Sequence, residues 1–163
     1  MNIFVFSPNL EYSACYFFDK DPRRANKQIL ELTQCLATAL HAQEIPVLKK
    51  DGTPYKPTHK NHPVVVWLRA DSSHLVWACD YLNMLLFRYF WLNRKHHGCA
   101  TAALEIKDWC VWLPRKEVIP IHHGKGVPRT GDVYKDYREY LEIKLSADRR
   151  KRGGDPQRTG QGN

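Results

Sequence analysis

Four polar side chains near the start of the chain, Arg24, Lys27, Gln28 and Glu31, are spaced i, i+3, i+4 and i+7. That spacing puts all four on one face of a helix. A lysine beside an arginine, partly desolvated, gives up its proton more readily and becomes a usable amine nucleophile. A glutamate one turn away can move a proton or offset positive charge developing on a sugar carbon. Together they meet the needs of a glycosylase-lyase attacking C1′ of a deoxyribose. The same four residues also make an ordinary solvated face, with Lys27 and Glu31 as a weak i,i+4 pair of opposite charge.

A second polar cluster lies in "YKPTHKNHPVVVW", residues 55–67. Pro57 and Pro63 restrict the backbone there. Lys56, His59, Lys60, Asn61 and His62 would be held against the apolar run that follows, within reach of a phosphate or a base edge. Asn61 could instead cap the following segment. Histidines crowd at His59 with His62, at His96 with His97 and Cys99, and at His122 with His123. None has a CxxC or HExxH partner, so no metal and no cofactor is expected. The deaminase pattern H-x-E with P-C-x-x-C is absent. Trp77, Tyr81 and Trp91 could stack on bases, although aromatics at helical spacing more often form core.

The elements that must position these residues are mainly helical. Ala25, Ile29, Leu32, Leu36 and Leu40 form one apolar face, so a helix is predicted over residues 22–41, capped by Asp21 with Pro22 in its first turn. A second helix is predicted over 72–93, capped by Asp71 or Ser72, with Leu75, Cys79, Leu82, Leu86 and Tyr89 as its core stripe. Its other side is also largely apolar, which marks it as the central helix of the domain. A short helix over 101–110 and an amphipathic one over 133–145 complete the set, with a long irregular loop before the last. "KKDGTPY" reads as a turn. Residues 2–6 read as a short buried strand, and the segment has neither the basic lead nor the cleavage site of a signal peptide. The expected fold is therefore mostly α: one domain over 1–147 with a short amino-terminal strand, then a disordered basic tail over 148–163.

Size and charge bound the partners. The 163 residues are enough for one well-buried core, and no run of about 18 apolar residues exists to span a membrane. The net charge is +8; the tail from Asp148, with five basic and two acidic residues, carries +3 and leaves +5 for residues 1–147. A basic folded part favours a polyanion, with nucleic acid the commonest. Five cysteines with no CxxC point to reduced thiols and a cytoplasmic setting.

"DPRRANKQILE" and "YKPTHKNHPVVVWLR" resemble segments of the phage and bacterial pyrimidine-dimer DNA glycosylases. That family pairs an R-x-x-K-Q-x-x-E helix with a downstream N-H-P-x-x-x-W segment. The matching positions here are Arg24, Lys27, Gln28 and Glu31, then Asn61, His62, Pro63 and Trp67, and looser similarity extends over most of residues 1–145. The resemblance implies a mostly helical fold and base-excision repair of double-stranded DNA carrying damaged or modified pyrimidines. In a phage member the nucleophile is the mature terminal amine of a threonine, beside a glutamate. This chain starts Met-Asn, so Lys27 and the terminal amine both stand as nucleophiles, with Glu31 and His62 as the other catalytic groups. Arg24, Gln28, Lys56, His59, Lys60, Asn61 and Trp67 would contact DNA. The other expectation is a non-catalytic nucleic-acid-binding or host-interaction protein using the same basic face.

Overall fold

Two aspartates lay out the first half of the chain. Asp21 ends helix α1 (Leu10–Lys20), its N–H donating to the Phe17 carbonyl, and begins α2 (Pro22–His41), its carboxylate accepting from the Arg24 N–H at 3.0 Å. Asp71 stands between α3 (Pro63–Ala70) and α4 (Ser72–Asn93) and caps α4 by accepting from the Ser73 N–H at 2.8 Å. A side-chain cap of this kind satisfies a backbone donor that the helix cannot, worth about 1 kcal/mol. Helices α5 (Ala100–Cys110) and α6 (Val133–Arg152) follow. The computed structural model describes residues 2–124 and 126–152.

Helix α4 is the centre of the domain and packs against α1, α2, α3 and α5. The predicted apolar face of α2 is buried throughout, as are Leu75, Cys79 and Leu82 of α4. Leu86 and Tyr89 are only partly covered, and Tyr81, on the far side of that stripe, is fully buried. The helix is thus enclosed on more than one side. Four of the five cysteines, Cys35, Cys79, Cys99 and Cys110, are buried. The Asp-Gly turn is present: Gly52 takes a positive φ of 78° beside one antiparallel bridge between Leu48 and Pro54. Among the described residues no helix is long and apolar enough to cross a membrane.

Two helices have weak sequence signals. The aromatics of α1 favour strands as much as helices, and its start is marked only by Asn9, whose side chain caps the Tyr12 N–H at 2.8 Å. In α3 a valine run follows Pro63, whose place at the first turn is the one helical cue.

The expected strand over residues 2–6 is absent. The segment has no regular structure but is largely buried, with Ile3, Val5 and Phe6 at most 1% exposed, and it pairs with no strand among the described residues. Side chains satisfy its backbone instead. The Phe4 N–H donates to Gln28 Oε1 at 3.2 Å, and the Phe4 carbonyl accepts from the Tyr81 hydroxyl at 2.6 Å. The Phe6 N–H donates to Ser13 Oγ at 2.9 Å, and the Phe6 carbonyl accepts from Arg138. The boundary set at residue 147 also moves, because α6 continues to Arg152 and Asp148 on it pairs with Arg23 and Arg24. The rest of the expected disordered tail, residues 153–163, lies outside the described residues.

Replacing Tyr81 with Phe removes the hydroxyl that fixes Phe4 and leaves a buried carbonyl unmet. A loss of about 1–3 kcal/mol is expected, seen as a melting temperature lower by several degrees at about 2–4 °C per kcal/mol. An unchanged melting temperature would show that this tether holds nothing.

Candidate functional site

The buried amino-terminal segment, α2 and α6 enclose a cavity of about 570 Å³. Arg24, Lys27, Gln28 and Glu31 all line it from α2, so the sequence spacing does bring these four together. Asn2 and Phe4 line it from the segment, and Tyr140 and Lys144 from α6. Phe4 and Tyr140 stack at 5.7 Å between ring centroids, and the Lys144 ammonium lies over the Tyr140 ring at 5.0 Å. Arg23 completes the basic rim. Among the described residues the site is therefore a cleft lined by aromatic rings, four cationic side chains and one carboxylate, Glu31. Its α6 and amino-terminal members were beyond sequence reasoning. Only the i,i+4 spacing of Tyr140 and Lys144 hints at a shared face.

Within the cleft the charges are unequally committed. Arg24 bonds to Asp21 and to Asp148 at 3.0 Å. Burial opposes the Arg24 charge, but those two carboxylates outweigh it and raise its pKa. Lys27 reaches Glu31 at 3.3 Å with its side chain 72% exposed, while Glu31 is 21% exposed. The desolvation expected at Lys27 is thus absent, and the pairing is the one an ordinary helix face would show. Glu31 is the more enclosed member. One turn further on, burial pushes the Cys35 thiol up to about 12, so it stays neutral and is no rival nucleophile. The terminal amine belongs to Met1, which lies outside the described residues.

Gln28 is the most buried polar group of the cleft, 2% exposed. Its Oε1 is engaged by the Phe4 N–H, which fixes the amide so that Nε2 must be a donor, and Nε2 has no hydrogen-bond partner among the described residues.

The second predicted cluster is placed differently. Lys56, His59, Lys60 and Asn61 are exposed and do not line the cleft. His62, not Asn61, caps α3, its Nδ1 accepting from the Val64 N–H at 3.2 Å, and its ring meets His123 edge-on at 5.1 Å. Proline-flanked rigidity here serves a helix cap. Trp67 stacks on His74 at 4.2 Å and packs against Trp77, away from the cleft. Tyr81 is core, Trp77 is half-buried against it, and Trp91 is exposed beneath Arg94. Among the described residues no three His, Cys, Asp or Glu side chains are grouped to hold a metal ion.

Comparison with known protein families, curated proteins and solved structures gives no match.

Burial foremost, with the charges of His123 and His59 adding to it, lowers the pKa of His62 from its ordinary 6.5, against an opposing pull from Glu31. An imidazole with a lowered folded pKa contributes stability that is complete above 6.5 and lost as pH falls below it. Protonation also turns the capping Nδ1 into a donor. Stability should therefore fall below pH 6.5, and His62→Asn, which keeps a cap without a titrating ring, should flatten the fall. Denaturant midpoints of both proteins from pH 7.5 to 5 check this; parallel curves would remove His62 from the effect.

Proposed function

We propose that the chain is a DNA-binding protein of glycosylase/AP-lyase type, acting on double-stranded DNA with a damaged or modified pyrimidine. The single observation that carries this is the cleft, where a lone, largely enclosed carboxylate stands beside an amine inside a cationic rim with aromatic walls. The rim suits phosphates, and the walls suit an extrahelical nucleotide. The resemblance of the Arg24–Glu31 pattern to the pyrimidine-dimer glycosylases points the same way.

In the proposed reaction Glu31 takes a proton from the amine, and the free amine attacks C1′. The C1′–N bond breaks and the base leaves with the proton Glu31 took; the C1′–O4′ bond then opens as O4′ accepts the proton the attached amine gives up, leaving an imine at C1′. Loss of a C2′ proton then expels the 3′ phosphate. Lys27 is the amine whose proton Glu31 is placed to accept, and the terminal amine is the other. Arg24 is a positioning residue, with its charge committed to Asp21 and Asp148. The exposure of Lys27 supports a second reading, a binding module that uses the cleft without chemistry.

Borohydride trapping on abasic duplex DNA separates the two, since only an imine-forming lyase gives a covalent adduct. Glu31→Gln is expected to lower strand cleavage by about 10²–10⁴ while leaving DNA affinity nearly intact. Lys27→Ala, or blocking the terminal amine, should abolish the adduct. Cleavage unaffected by all three changes would leave the enzyme without a mechanism, and the absence of any adduct would favour the binding module.

DNA affinity itself should fall steeply with salt, log K changing by about 0.9 per phosphate contact for each unit of log salt. Affinity indifferent to salt would rule out the cationic rim as the contact.

A further inference from the structure

We propose that Gln28 reads the base of a nucleotide held in the cleft, donating from Nε2 to a carbonyl oxygen on the ring. This rests on the nucleic-acid reading of the cleft and names the ligand group that its floor accepts. Gln28 lines the cleft, and its Nε2 is buried with no partner among the described residues. A buried N–H left unmet is unfavourable, and a ligand acceptor relieves that penalty. The amide cannot turn over to offer its oxygen, because Oε1 already holds the Phe4 N–H that fixes the amino-terminal segment. The Gln28 amide therefore has a donor to offer and no acceptor.

The surroundings narrow the ligand further. The stacked pair Phe4 and Tyr140 lines the same cleft, an aromatic surface that suits a flat heterocycle. Arg23, Lys27 and Lys144 at the rim suit its phosphate. A cavity of about 570 Å³ has room for one nucleotide. A base with a ring carbonyl, as every pyrimidine has, satisfies Nε2. A bare sugar phosphate satisfies only the rim.

The test compares two probes, thymidine 5′-monophosphate and deoxyribose 5-phosphate, titrated calorimetrically into the full chain. Wild type should bind the nucleotide more tightly. Gln28→Glu and Gln28→Leu should each reduce that preference by about tenfold or more, the ratio cancelling any effect of the new charge on phosphate. If either variant does not fold, the Gln28 side-chain amide resonances of wild type decide. They should shift with the nucleotide and not with the sugar phosphate. Equal affinity for the two probes, an unaltered preference in folded variants, or unmoved amide signals would overturn the inference. Duplex binding measured alongside separates the two claims. Duplex bound without preference for the base-bearing probe overturns the Gln28 role alone. A Gln28-dependent preference without duplex binding supports that role and removes the DNA reading.

Discussion

An irregular segment buried among helices has backbone donors and acceptors that no neighbouring strand meets, and that constraint governs this fold. Each unmet group would be unfavourable by about 1–3 kcal/mol. Here the Phe4 and Phe6 groups are met by Gln28 from α2, Tyr81 from α4, Ser13 from α1 and Arg138 from α6. One short segment thus fastens four helices. It also explains why α4 is covered beyond its apolar stripe: Tyr81 must be internal to reach Phe4.

The cleft is a by-product of that fastening. Gln28 holds the Phe4 N–H with its Oε1, which leaves Nε2 buried without a partner among the described residues. The ring of Phe4 then stacks on Tyr140 along the cleft, while Asp148 on α6 draws in Arg23 and Arg24. The polar face of α2 would be plain surface without these neighbours. Lys27 still behaves as surface, and the more enclosed Glu31 does not.

Much of the helical frame was legible because its signals are local. Ala25 to Leu40 repeat at helical spacing, and Asp21 with Pro22 marks a start that the structure uses. The grouping of Arg24, Lys27, Gln28 and Glu31 was legible for the same reason. What failed was non-local. Ile3 to Phe6 have the composition of a strand, and nothing in that run shows that residues 13, 28, 81 and 138 will satisfy it. His62 carries the same letters whether it faces a ligand or caps a helix, and the Val64 N–H decides the matter. Tyr140 and Lys144 join the cleft only because α6 docks against the segment.

The central claim is that nucleic acid enters the cleft between the amino-terminal segment, α2 and α6. The most direct measurement is a crystal structure of the full chain bound to a duplex carrying a stable abasic analogue. The account predicts an extrahelical sugar inside the cleft, its C1′ beside Glu31 and its flanking phosphates on Arg23, Lys27 and Lys144. Duplex lying along Lys56–Asn61 or across α5, with the cleft vacant, would contradict it.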